Sequence, residues 1–179
     1  MAITLHRIND TTTKEYQFVE NLLTQAFPKE EYRELPAFRT LTRDKEIFHN
    51  NLIYDDNTLV GFVTYWDFAS FYYIEHFAIL PEMRNHSYGK QVLAYLKEQL
   101  HGPIVLEAEC PVEELAQRRI GFYKRQGFTL WQQDYMQPPY RPGDGFLKLM
   151  LMAYGNLRED KDFDLIKKTI HREVYGFLS

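Results

Sequence analysis

The sequence predicts an α/β (α+β) domain with a mixed, mostly antiparallel sheet of about seven strands and one parallel pair. Three observations predict it. Residues 51–54 and 58–68 are strand-like runs joined by Asp55-Asp56-Asn57, a tight-turn composition that makes an antiparallel hairpin. Residues 71–80 and 104–109 are two further strand runs with a helical pattern between them, so they should lie parallel through a right-handed crossover. Residues 128–136 and 146–154 form the last two strands, joined by the stiff, exposed loop QPPYRPGDG.

In chain order, Ile3, Leu5 and Ile8 make a short first strand, and Asp10 with the threonines after it offers helix caps. Tyr16, Val19, Leu22, Leu23 and Phe27 share one face of a helix that Pro28 ends. Residues 29–45 are charged and weakly periodic, predicting one or two short helices interrupted at Pro36. Pro81 removes a ladder donor and ends the strand over 71–80. Val92, Leu93, Leu96 and Leu100 form the stripe of the helix from Gly89, with Lys90, Lys97 and Glu98 on the wet side. A helix from Pro111 toward Gln126 is capped by Gly127, and Phe163, Ile166, Ile170, Val174 and Phe177 fall at helical spacing near the end. Nothing in 1–179 has linker composition or repeats, so one domain is expected.

Composition narrows the function class. Hydrophobic residues make up 45% and aromatics 16%, too apolar for a disordered chain. A formal charge of -4 and a pI near 5.9 argue against a nucleic-acid partner. Cys110 is the lone cysteine, so no intramolecular disulfide can form and a reducing, cytoplasmic setting is expected. No run approaches a membrane span, no histidines are paired at metal-ligand spacing, and neither a Gly-x-Ser-x-Gly elbow nor a Gly-Lys-Ser/Thr phosphate loop is present.

The chemistry concentrates in 71–100. Helix starts favour Asp and Glu, yet this first turn holds Ser87, Tyr88, Gly89 and Lys90, with Arg84 just before. Positive potential is left uncancelled, and free amides beside small residues can hold an anion such as a pyrophosphate. A solvated strand-loop-helix junction is the plain alternative on these residues alone.

Arg84-Asn85-His86-Ser87-Tyr88-Gly89, preceded by Ala78-Ile79-Leu80-Pro81-Glu82, resembles the acetyl-coenzyme A loop of the GCN5-related N-acetyltransferase (GNAT) family. Gly121-Phe122-Tyr123-Lys124-Arg125-Gln126-Gly127-Phe128 resembles its second signature, a helix ending in Tyr-x-x-x-Gly-Phe. The element order extends the resemblance over nearly the whole chain. It implies helices on both faces of the sheet, a central parallel pair splayed apart, and acetyl-coenzyme A as acyl donor, with no metal.

The resemblance also implies roles. Arg84, Asn85, His86, Ser87, Tyr88, Gly89 and Lys90 would grip the pyrophosphate, and the backbone of Phe77, Ala78 and Ile79 would pair with the pantetheine arm like an added strand. Tyr123 would protonate the leaving thiolate, since a phenol with a reference pKa of about 10 stays protonated at neutral pH. Glu75, a carboxylate among aromatics, is the candidate base, with Glu107 and Glu109 in reserve. His76 faces the other way unless a bulge intervenes. Tyr135 and Tyr140 are candidates for the acceptor pocket, and residues 29–45 overlie the acceptor in that family.

Three positions depart from the family pattern. Ser87 stands for the loop's first glycine, tolerable with ordinary backbone dihedrals and otherwise costly to phosphate grip. Cys110-Pro111 replaces a common asparagine, and Arg119 a common alanine. The expected activity is acetylation of a primary amine on a small molecule or peptide, with a homodimer as the default assembly. The alternative is a non-catalytic coenzyme A or acyl-coenzyme A binding module.

Overall fold

In the computed structural model, which describes residues 2–178, the chain begins with β1 (Ile3–Ile8) and α1 (Lys14–Ala26). Thr13 caps α1 by accepting from the Tyr16 amide at 3.2 Å, and the Asp10 carboxylate accepts from the Thr12 amide at 2.9 Å. Tyr16, Val19, Leu22 and Leu23 form its buried stripe, and α1 packs on later strands of the same unit. A short 3-10 turn, Lys29–Glu31, precedes α2 (Leu35–Asp44). Pro36 lies in the first turn of α2 rather than interrupting it, because a first-turn residue has no intrahelical amide bond to lose.

Four strands make the sheet of the first unit, which ends at His101. They are β1, β2 (Phe48–Asp55), β3 (Thr58–Asp67) and β4 (Tyr72–Ile79), and each is antiparallel to the next. Asp55 faces Thr58 across the predicted turn, where Asp56 takes φ 51°, a left-handed value that Asp tolerates. β2 starts earlier than its strand-like run suggests, with Phe48 and Asn50 fully buried. At Gly61 a side chain is excluded by the neighbouring strand: a Cβ there would lie 2.2 Å from the Ala78 carbonyl oxygen. Helix α3 (Tyr88–Gln99) buries Tyr88, Val92, Leu93 and Leu96 and packs against β1.

The second unit, from Gly102, is built on one long strand. It contains β5 (Ile104–Glu109), α4 (Glu114–Arg125), β6 (Thr129–Leu130), β7 (Tyr135–Gln137), β8 (Leu147–Tyr154) and α5 (Glu159–Tyr175). β8 pairs antiparallel with β5 and also with both β6 and β7. The expected strand over 128–136 is therefore two strands. Leu130 faces Met152 and Tyr135 faces Leu149, so the connection carries more residues than its partner and buckles out of the ladder. Trp131, whose amide still donates to the Leu151 carbonyl at 2.9 Å, is buried near Phe163 of α5, and residues 132–134 form the buckle. The described residues thus hold eight strands.

Helix α4 starts at Glu114 rather than Pro111, after a tight turn in which the Val112 amide donates to the Cys110 carbonyl. Its end matches expectation. Gly127, at φ 94°, donates to the Lys124 carbonyl and Phe128 to the Tyr123 carbonyl, both at 3.0 Å, the paired bonds of a glycine-terminated helix. Among the described residues no helix is long and apolar enough to cross a membrane.

Candidate functional site

The first turn of α3 is as bare as the sequence predicts. It holds no acidic residue, and no side chain caps it. Arg84, Asn85, His86, Ser87 and Lys90 are exposed around it. With cationic side chains beside unpaired amides, the turn is suited to an anion. Arg84 is partly committed, donating from Nε to the Ile79 carbonyl at 3.2 Å.

Ser87 does not have ordinary dihedrals. It sits at φ 63°, ψ 19°, and Asn85 at φ 67°, so two non-glycine residues of the loop are left-handed. Asn tolerates this region as Asp does, but Ser87 costs on the order of 1–3 kcal/mol there and must be held by its surroundings. Tyr88, expected to face the ligand with the rest of the loop, instead turns its side chain inward, where its hydroxyl donates to Asp55 Oδ2 at 2.7 Å. That bond and burial push its pKa up.

The β4 strand carries a bulge at Glu75. Thr64 faces His76 and Tyr65 faces Ile74, which leaves Glu75 without an opposite residue. The Thr64 hydroxyl pins the bulge by accepting from the His76 amide at 3.0 Å. In a regular strand Glu75 and His76 would point apart; here His76 Nδ1 comes to 4.0 Å from Glu75 Oε2, with both side chains buried. The alternation rule that separates them therefore does not hold at this position.

Glu75 is not the lone carboxylate that its aromatic neighbours suggest. Its side chain is 0% exposed, and it pairs with Arg33 Nη2 at 2.8 Å and accepts from Trp66 Nε1 at 2.7 Å. Its charge is compensated rather than isolated. His76 Nε2 lies 2.7 Å from the Glu31 carbonyl, and burial lowers the imidazole's pKa, which favours the neutral ring. Phe77, Ala78 and Ile79 follow directly and pair with Val63, Phe62 and Gly61.

In the second unit, Tyr123 lies near the end of α4, its ring edge-on to Phe122 and to Phe128. Burial pushes its pKa up to about 12, with Arg119 opposing. Its hydroxyl makes no hydrogen bond among the described residues, whereas a packing tyrosine usually bonds its hydroxyl to backbone. Arg119 reaches Glu109 at 3.1 Å, an exposed ion pair that occupies this reserve carboxylate. Glu107 is built into the interior: it accepts from Tyr135, from Gln137 Nε2 at 2.9 Å and from the Tyr175 hydroxyl at 2.6 Å. Tyr140 packs on Tyr175 with ring centroids 4.9 Å apart. Burial, then the charge of Glu107, drives the Tyr135 pKa far up.

Arg33, Trp66, Thr64 and the Tyr88–Asp55 pair are absent from the sequence reading. Arg33 lies in the weakly periodic stretch and carries no signal of burial. Trp66 and Thr64 required a register that alternation alone mispredicts at Glu75, and Tyr88 and Asp55 lie 33 residues apart in the chain.

The family model described as the acetyltransferase (GNAT) family matches residues 8–128. A solved structure of a GNAT-family protein from Bacteroides thetaiotaomicron is 52% identical, with a TM-score of 0.95 over 98% of this chain and 99% of that one. YjbC of Bacillus subtilis (strain 168), provisionally named an acetyltransferase, is 27% identical over 162 residues, covering 78% of this chain and 81% of its own. An aminoglycoside 6'-N-acetyltransferase solved with coenzyme A shares the fold at 16% identity, with a TM-score of 0.60 over 88% of this chain and 98% of its own. The mixed α/β fold class expected from the sequence is thereby established, and the chain belongs to the acetyltransferase (GNAT) family.

Proposed function

We propose that the protein transfers the acetyl group of acetyl-coenzyme A to a primary amine of a small molecule or peptide by direct attack. The observation that carries this reading is the uncapped first turn of α3, whose amides and flanking Arg84 and Lys90 suit a diphosphate. The coenzyme A bound by a protein of the same fold supports the donor. Loop residues 84–90 take the diphosphate, and the backbone of Phe77, Ala78 and Ile79 receives the pantetheine amides.

The amine nitrogen attacks the thioester carbon, a C–N bond forms, and the C–S bond breaks as the oxyanion collapses. A backbone amide of 77–79 steadies the oxyanion. The thiolate takes its proton from Tyr123, whose raised pKa keeps the phenol protonated at neutral pH and whose hydroxyl makes no competing bond among the described residues. The acceptor's proton passes to Glu75 through water, since a fully covered carboxylate cannot touch the amine itself.

A coupled thiol-release assay over an amine panel tests the reading. Acceptor-dependent thiol release is expected, and Tyr123→Phe should slow turnover about a hundredfold, while the coenzyme A dissociation constant changes less than about threefold. Binding of acetyl-coenzyme A without thiol release from any amine would assign a non-catalytic binding module instead.

A further inference from the structure

The acyl-donor loop has an internal problem. Ser87 holds left-handed backbone without being glycine, asparagine or aspartate, it is exposed, and its side chain makes no capping bond. Backbone in that region relaxes unless neighbouring structure holds it. Four bonds reach the loop before Tyr88 among the described residues: Gln91 Nε2 to the His86 carbonyl at 3.4 Å, the Gln91 amide to the Ser87 carbonyl at 3.1 Å, the Arg84 amide to the Pro81 carbonyl at 3.3 Å, and Arg84 Nε to the Ile79 carbonyl at 3.2 Å. Both of the side-chain bonds are exposed.

The residue after Ser87 supplies what they lack. Tyr88 is 9% exposed, the one buried side chain between Pro81 and Lys90, and its hydroxyl meets Asp55 Oδ2 at 2.7 Å. Asp55 is itself fixed: it ends β2 beside the hairpin turn, pairs with Ile3, and accepts the Ala2 amide on Oδ1 at 3.1 Å. A phenol clamped at both ring and hydroxyl fixes the backbone at the first helical residue, and so the dihedrals of the serine before it.

We infer that the Tyr88–Asp55 bond is a strut that holds the glycine-poor loop 84–89 in its anion-accepting shape, making Tyr88 and Asp55 positioning residues for the diphosphate of the acyl donor. The inference rests on the acetyl-coenzyme A reading of this loop. It explains how a serine serves where the family pattern has glycine: the chain replaces conformational freedom with an anchor from a different part of the same sheet.

The strut makes a coupled prediction. In the ligand-free full chain, Tyr88→Phe should speed amide exchange at residues 85–90 about tenfold and leave other helices unchanged, the size expected for one lost bond to a carboxylate. By calorimetry with coenzyme A, the same variant should bind about tenfold more weakly. In a Ser87→Gly background, where the backbone takes φ > 0 without strain, the penalty of Tyr88→Phe should shrink to less than about twofold. Unchanged exchange in 85–90, or an equal penalty in both backgrounds, overturns the strut. A wild-type chain that takes up no coenzyme A instead refutes the acyl-donor reading, and exchange in the ligand-free chain separates the two failures.

Discussion

Glu75 and Glu107 are the same group on two strands, and the chain covers them by opposite means. On β4, Glu75 meets a cation, Arg33 at 2.8 Å, with the Trp66 indole as second donor. On β5, the partners of Glu107 include three neutral donors, Tyr135, Gln137 and Tyr175. An ion pair concentrates compensation in one partner, whereas a ring of neutral donors divides it among several. The first arrangement should fail abruptly when the partner goes, and the second by increments.

The largest expected effect follows from Arg33. Arg33→Met removes the guanidinium 2.8 Å from a fully covered carboxylate and should cost about 3–5 kcal/mol in denaturant unfolding, while the Arg33→Met/Glu75→Met double variant should recover most of that loss. Recovery would show that the pair exists for the bulge rather than for stability. A double variant as unstable as the single would mean that the bulge itself needs the charge.

Glu107→Gln should lose less, about 1.5–3 kcal/mol, because the amide keeps one acceptor oxygen for one of the two hydroxyls, and the other hydroxyl can turn to accept from the new NH2. A loss larger than that of Arg33→Met would break the comparison. It would mean that the phenol ring is the more brittle device.

The smallest effect is in pH, and each region contributes one group. Burial is the largest influence on both His76 and His171 and lowers both pKa values below the ordinary 6.5. Below 6.5 the unfolded chain binds more protons than the folded one, so stability present above that pH should be lost as pH falls toward the folded values. The slope is about 1.4 kcal/mol per pH unit for each proton taken up. Among the described residues His171 Nε2 is buried without a hydrogen-bond partner, so none of them is placed to receive a proton gained there. His76→Asn and His171→Asn should each flatten part of the acid limb in urea unfolding followed across pH. An unchanged slope in either would show that the residue does not titrate over this range.

The strand and helix order was legible because it depends on short-range patterns: alternation in 58–68, the period of the Val92, Leu93, Leu96 stripe, and Gly127 as a helix stop. The bare first turn of α3 was legible too, since it is a statement about which residue types are missing from four consecutive positions. What could not be read is register and reach. One extra residue at Glu75 reverses the facing of everything after it, and periodicity carries no mark of that insertion. The split at residues 132–134 escaped for the same reason: Gln132, Gln133 and Asp134 could as well be solvent-facing strand residues, and nothing in their order marks them as leaving the ladder.

Local composition, then, settled most of the elements, their order and the uncapped first turn of α3, because turns, caps and stripes are interactions between near neighbours in the chain. The partners of each buried charge were decided only in three dimensions: Arg33 for Glu75, Tyr175 for Glu107, and Asp55 for Tyr88. The physical reason is that a carboxylate or phenol in the interior must find whatever donor or acceptor folding brings within about 3 Å, and chain separation has no bearing on that distance.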